Sequence, residues 1–160
     1  MSGIINSAGA RSGVIGTTEL DYEEGLYTWT ISDGDCVWNT VSSYTKLHYV
    51  KIGKLVTVHG RFETNATLSG TKQASAVYIT LPFTVASPGD NSGSSMGSGA
   101  IMRGGNSVTG SSRPTVNNGS TTAVWIIPHP DTSGGSEAYV LGNQLDDTLE
   151  GYITITYTVA

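Results

Sequence analysis

The sequence contains few charged residues, and its acidic residues outnumber its basic ones. Charged residues make up 13% of the chain and the net charge is -5, whereas about 25% of residues are charged in an average soluble domain. Because no basic patch is present to neutralise phosphates, we expect no nucleic-acid partner. A surface this poor in charge is either covered by partners or built from neutral Ser, Thr, Asn and Gly residues.

The chain also lacks a second cysteine and any long apolar run. The single cysteine, Cys36, excludes an intramolecular disulfide, and we interpret it as a small buried residue. The longest apolar run, residues 123–127, is far too short to cross a membrane. The first residues have neither the basic nor the apolar region of a signal peptide. We therefore expect no membrane insertion and no disulfide-stabilised secreted domain.

Catalytic and metal-binding motifs are absent as well. His48, His59 and His129 form neither a His-x-His pair nor an HExxH motif, and no spacing links them to Cys36. The acidic segments "DGD" and "NQLDDTLEG" have the composition of turns, and the first lacks the remaining ligands of a calcium loop. The sequence therefore predicts no enzyme activity, no metal and no cofactor.

What the chain does have is alternation of apolar and polar residues with a period of two. It is clearest in "KLVTVHGRF", "VYITLPF" and "GYITITYTVA", and it predicts strands with one buried face. The residues that this phase places in the core are Val56, Val58, Phe62, Ile79, Leu81, Ile153 and Ile155. The segment "AVWII" predicts a strand buried on both faces, and "YTKLHYVKI" and "LYTWTIS" are further strand candidates.

Glycine- and serine-rich segments separate these strands, and no segment has the pattern of a long amphipathic helix. Residues 87–99 and the segment "NNGS" predict a loop and a turn. The expected fold is all-β, an antiparallel β-sandwich or jelly-roll-like knob of about seven to nine strands. We expect most of its tryptophans and tyrosines in the core or at a subunit interface, whereas exposed ones could stack on sugar rings.

The N-terminal segment differs from the rest of the chain. Residues 1–20 are rich in glycine and show no periodicity, which predicts an extended arm. We place the boundary at Gly25, so that residues 1–25 form the anchoring arm and residues 26–160 form the β-sandwich domain. The arm's anchoring residues are expected to be apolar groups that fill a partner's pockets and one arginine that pairs with a partner's carboxylate: Ile4, Ile5, Arg11, Val14 and Ile15.

Two motifs carry a resemblance to a known family. The segments "ELDYEEGLYTWT" and "YVKIGKLVTVHGRF" are similar to a domain common in bacteriophage tail-fibre and other virion appendage proteins, and the likeness covers roughly residues 8–85. The residues that match the family pattern are Tyr22, Glu23, Glu24, Gly25, Trp29, Tyr49, Lys51 and Gly53. The chain departs from the pattern by inserting Leu26 and Tyr27 and by carrying Ile31 in place of a proline.

The resemblance implies a non-enzymatic, β-rich homotrimer on the surface of a phage particle, made in the cytoplasm of the bacterial host. Its partners would be copies of itself and capsid or tail proteins, and Gly25 would be the hinge between arm and domain. A capsid decoration protein, a cement protein or a head fibre is one interpretation. The alternative is a tail-fibre tip that recognises host surface glycan through residues 87–99 and 104–120. A polysaccharide-cleaving enzyme would need a cleft with two close carboxylates.

Overall fold

β-Strands form nearly all of the regular structure of this chain. A computed structural model describes residues 21–87, 95–103, 110–127 and 138–160. Within these ranges the strands are β1 Tyr22–Thr28, β2 Ile31–Ser32, β3 Val37–Thr40, β4 Lys46–Ile52, β5 Leu55–Ser69, β6 Tyr78–Thr80, β7 Ser95–Met96, β8 Ser98–Arg103, β9 Gly110–Val116, β10 Thr122–Ile127, β11 Ala138–Tyr139 and β12 Glu150–Thr158. Two single-turn 3-10 helices occupy Ser42–Tyr44 and Gly142–Gln144. The predicted all-β fold is confirmed.

The core lies on the face that the alternating pattern predicted. All seven residues expected there are buried. Phe62 on β5 packs edge-on against Trp29, with 5.6 Å between ring centroids. The indole N–H of Trp29 donates to the Tyr44 backbone oxygen at 2.7 Å, so this buried polar group is satisfied. Cys36 is also buried, as predicted, and burial raises the pKa of its thiol above the ordinary value of 9.0.

The strands form one antiparallel, curled sheet. Its hydrogen-bonded order is β1-β4-β5-β12-β8-β9-β10-β6-β2-β3, and β7 and β11 attach to β9 and β10. The long strand β5 pairs with β4 and β12 through its first half and with β3 through its second half. The pairing path therefore returns to β5, while β1 remains at an edge. The predicted sandwich or jelly-roll arrangement of these strands stays a prediction.

Some strand boundaries differ from the sequence-based expectation. "LYTWTIS" divides into the end of β1 and the short strand β2, because Trp29 turns into the core between them. "VYITLPF" forms only the three residues of β6. The loop predicted over residues 87–99 is wrong in its last part, where β7 and β8 begin. These two strands give no alternation of apolar and polar residues, because serine and glycine precede a continuous apolar run at residues 100–102.

The turn predicted from "DGD" is present, and it holds a buried carboxylate. Asp33 is 3% exposed and lies between β2 and β3. Its Oδ1 accepts the backbone N–H groups of Cys36 at 2.8 Å and Asp35 at 3.2 Å. Its Oδ2 accepts the N–H of Gln73 at 2.6 Å. One side chain therefore fixes the β2–β3 turn and ties it to the segment that precedes β6.

Several predictions concern residues outside the described ranges. They include the arm over residues 1–20 with its five anchoring residues, and His129 in "PHP". No helix in the described part of the chain is long and apolar enough to cross a membrane.

Candidate functional site

The two motifs behind the family resemblance lie side by side in the sheet. Strand β1 carries the first motif and pairs antiparallel with β4, which carries the second. The register places Tyr22 opposite Ile52, Glu23 opposite Lys51 and Gly25 opposite Tyr49. Sequence positions more than twenty residues apart thus form one two-stranded ribbon. Trp29 is the exception, since it leaves the ribbon and enters the core.

Gly25 leaves space in this ribbon for an aromatic ring that lies over it. A Cβ atom at Gly25 would be 3.0 Å from the Tyr49 Oη and 3.1 Å from the Cε1 and Cζ atoms of that ring. The Tyr49 hydroxyl donates to Glu23 Oε1 at 2.5 Å, and this hydrogen bond is the main cause of the raised pKa of Tyr49. Phe83 meets the same ring edge-on, with 5.2 Å between centroids.

The predicted hinge at Gly25 is therefore wrong. Gly25 lies in the middle of β1, and its backbone has no positive φ. Residues 22–25 pair with β4 and belong to the sheet, so the boundary predicted at Gly25 falls inside a strand. The glycine at position 25 does not serve as a flexible hinge. It leaves space for the Tyr49 ring.

The other end of the ribbon is fixed at the turn between β4 and β5. Gly53 has φ +57, a left-handed conformation that favours glycine in a two-residue hairpin turn. Its N–H donates to the backbone oxygen of Asp21 at 2.6 Å. The Asp21 carboxylate pairs with Lys51 Nζ at 2.5 Å, although an ion pair with one exposed partner contributes little. The signature residues of the motifs thus hold β1 onto the sheet.

The outward face of the same strands carries exposed apolar side chains. Opposite residues in antiparallel strands share a face, so Tyr22, Ile52 and Leu55 form a row across β1, β4 and β5. Tyr22 and Leu26 are each 54% exposed. We name as the docking face the exposed large apolar residues on the outward side of β1, β4, β5 and β12: Tyr22, Leu26, Ile52, Leu55 and Tyr152.

Polar groups lie between the apolar side chains of the docking face. The His48 and His59 rings stack across β4 and β5 with 5.5 Å between centroids and 14° between planes. Leu26 lies opposite His48 in the register. The Tyr22 hydroxyl donates to Glu24 Oε2 at 2.5 Å, which raises the pKa of Tyr22. The sequence signal for this face is weak, because apolar residues occur in both phases of β1 and β4.

The docking face ends at an open strand edge. Among the described strands, β1 pairs only with β4, so one side of β1 leaves its main-chain N–H and C=O groups without a neighbouring strand. Edge strands of this kind are sites at which another chain can add a strand. Three of the first four residues of β1 are Tyr22, Glu23 and Glu24, and all three are exposed. An apolar face and an open edge therefore meet at β1.

Two glutamates lie near one of the cavities in the described ranges. Glu63 and Glu150 are opposite residues of β5 and β12 and help to line a cavity of about 250 Å³. Arg61 Nη2 binds both, at 2.9 Å from Glu63 and 2.8 Å from Glu150, and its guanidinium lies 4.5 Å over the Tyr44 ring. Because one arginine holds both carboxylates, their geometry gives no support to a glycosidase site.

A second cavity lies on the other half of the sheet and has a different chemistry. Its volume is about 260 Å³, and it is lined by Ala76, Tyr78, Asn117, Ser120, Thr122 and Tyr139. Two of these residues fall in the segment 104–120, which the tail-fibre alternative assigns to glycan contact, but residues 110–116 of that segment form strand β9 rather than a loop. No group of three or more His, Cys, Asp or Glu side chains in the described ranges is arranged to hold a metal ion.

Comparisons with models of protein families, with curated proteins and with solved structures find no match to this chain. The resemblance to phage appendage proteins stays a prediction that rests on the two motifs.

Proposed function

We propose that this chain is a non-enzymatic structural protein of a bacteriophage virion. It forms a homotrimeric knob on the particle surface, as a capsid decoration protein, a cement protein or a head fibre, after synthesis in the bacterial cytoplasm. The phage assignment is supported by the resemblance of the two motifs. The proposed structural role is supported by one observation: the docking face lies next to the open edge of β1.

The partner on the docking face is a second copy of this chain. A cyclic trimer joins one surface of each protomer to a different surface of the next, so the docking face and the β1 edge would meet another part of the neighbouring sheet. Few charged side chains would have to be desolvated in such a contact, since only 13% of the residues are charged. Large exposed apolar side chains are instead concentrated on one side of four strands.

The apolar side chains alone do not account for a stable trimer. Fully burying one large apolar side chain contributes about 1.5–3 kcal/mol, and these five are already about half covered, so together they contribute on the order of 5 kcal/mol. Association costs about 4–15 kcal/mol in lost translational and rotational freedom. Main-chain hydrogen bonds at the open edge of β1 are therefore part of the proposed interface.

Light scattering of the full chain is expected to give three times the protomer mass of 16.7 kDa at micromolar concentration. Leu26→Asp places a charge in the docking face and is expected to shift the mass to that of the single chain, because an unpaired buried charge opposes association. The matched control is Ser69→Asp, which adds the same charge at an exposed position in the half of β5 that pairs with β3. A wild-type mass of 16.7 kDa would contradict the trimer, and equal effects of both variants would contradict the role of the docking face.

The segment before β1 is proposed to attach the knob to the particle. It joins the described structure at Asp21, beside the β4–β5 turn and at the edge where the docking face ends. A chain of twenty residues can span at most about 70 Å when fully extended. Residues 1–20 could therefore reach a neighbouring virion protein from the rim of the sheet.

Deletion of residues 2–20 tests this attachment and keeps the whole of β1. The shortened chain is expected to melt cooperatively, with a melting temperature close to that of the full chain, and to fail to bind phage particles that lack the native protein. Deletion of residues 2–28 is the comparison, because it also removes β1 and the contacts of Tyr49. If the first deletion binds particles as well as the full chain, residues 1–20 are not the anchor. If it does not fold, those residues belong to the β-fold.

A further inference from the structure

The cavity beside Tyr78 has the composition of a site for a neutral, hydroxyl-rich ligand. None of the six lining residues within the described ranges is charged, and two of them are tyrosines. Sugar rings present apolar C–H faces that pack on aromatic rings, and hydroxyl groups that bind neutral polar side chains. A charged ligand would find no opposite charge among these described lining residues.

The two tyrosines are placed side by side by the strands that carry them. Strands β6 and β11 follow one another along the same edge of β10. Tyr78 lies opposite Val124 and Tyr139 lies opposite Ile126, two positions further along β10. Because paired residues share a face and each strand residue rises about 3.3 Å, the two tyrosines lie on one face, roughly 7 Å apart along the edge. Both aromatic side chains therefore line the same groove.

The groove also offers polar groups that form no hydrogen bond within the described residues. The side chains of Asn117, Tyr78 and Tyr139 make no hydrogen bond with the part of the chain that the structure describes. Ser120, by contrast, is already engaged, since its hydroxyl donates to the Thr122 backbone oxygen at 2.7 Å and accepts the Thr122 N–H at 3.1 Å. One amide and two phenols therefore remain to bind ligand hydroxyls, while Tyr139 is 56% exposed and accessible.

We propose that the groove between Tyr78 and Tyr139 is a binding site for a neutral saccharide. Its volume of about 260 Å³ lies just below the usual range for small-molecule sites, about 300–1,000 Å³, so it accommodates one or two sugar rings. A ligand of this size in an open groove binds with a Kd on the order of 1 mM. The site does not depend on the proposed trimer, and its failure would leave that proposal unaffected.

Saturation-transfer NMR on the full chain tests the site with lactose, cellobiose and N,N'-diacetylchitobiose as neutral probes and N-acetylneuraminic acid as an acidic one. At least one neutral probe is expected to bind at millimolar concentration. Tyr139→Ala is expected to weaken that binding at least about tenfold, because it removes an exposed ring. Tyr139→Phe keeps the ring and is expected to weaken it less. Thr67→Ala, at an exposed position of β5 outside the groove, is the control and should bind as the wild type does.

Asn117→Ala provides a second variant with the ring pair intact, and it is expected to weaken binding at least about threefold through the loss of amide hydrogen bonds. The melting temperature of each variant shows whether the fold is retained. Three results would overturn the proposal: no binding of any neutral probe at tens of millimolar, equal binding by the wild type and both alanine variants, or binding of the acidic probe alone.

Discussion

Phe62→Ala is expected to lower the free energy of unfolding by about 3–5 kcal/mol. The Phe62 side chain is fully buried on the inward face of β5, and it packs edge-on against Trp29. Its ring also lies against Gly151 of β12, where a Cβ atom would be only 2.5 Å from the Phe62 Cζ. The neighbouring backbone is therefore built around this ring, and a cavity left by its removal cannot easily collapse.

Equilibrium denaturation in urea measures this loss, at one fixed protein concentration because association shifts apparent stability. Phe62→Leu keeps much of the apolar volume and should lose clearly less than Phe62→Ala. Thr67→Ala, at an exposed position in the half of β5 that pairs with β3, is the control and should stay within about 0.5 kcal/mol of the wild type. A loss below about 1 kcal/mol for Phe62→Ala would mean that this site is not packed as described.

Asp33→Ala is expected to lower the free energy of unfolding by about 3–4 kcal/mol. The Asp33 carboxylate accepts three backbone N–H groups, from Asp35, Cys36 and Gln73. Hydrogen bonds to charged groups contribute about 1.5–3 kcal/mol each, and they do not add fully when they share one acceptor. Without the carboxylate, the buried Cys36 N–H loses this partner, and the turn between β2 and β3 is no longer tied to Gln73.

Asp33→Asn separates the roles of shape and charge. Its side chain has the same size but only one acceptor oxygen, so it cannot accept at both positions, and its stability should fall between those of Asp33→Ala and the wild type. The control is Asp35→Ala in the same turn, whose side chain is exposed and should change the stability by no more than about 0.5 kcal/mol. Equal losses in the free energy of unfolding for Asp33→Ala and Asp35→Ala would contradict the structural role of Asp33.

The sequence predicted the buried faces of the fold well, because a period of two is a local property. Alternation along β5 and β12 placed Val58, Phe62 and Ile155 on the inward face, and all three are buried. The same reasoning could not find β8 and β9, whose serine and glycine residues give no alternation. These strands exist because neighbouring strands offer hydrogen-bonding partners, which is a property of the assembled sheet rather than of the segment.

The sequence predicts the candidate sites less well than it predicts the core. The two motifs contain Gly25 and Tyr49. Only the register of β1 with β4 shows that Gly25 leaves space for the Tyr49 ring. Tyr78 and Tyr139 come together because β6 and β11 share an edge of β10, and no sequence pattern links them. Asp33 looked like an ordinary turn residue because its third hydrogen-bond partner, Gln73, is distant in sequence.

The position of β12 determines when this sheet can be completed during synthesis. β12 lies between β5 and β8, and Leu55 of β5 pairs with Thr158 of β12. At a translation rate of about 5–20 residues per second, β5 emerges from the ribosome on the order of ten seconds before its partner is made. Over that interval Val56, Val58 and Phe62 have no β12 to cover them, and a nascent chain in this state is exposed to aggregation and to chaperones. β12 thus completes the middle of the sheet, and folding that depends on such distant strand pairing is expected to be slow.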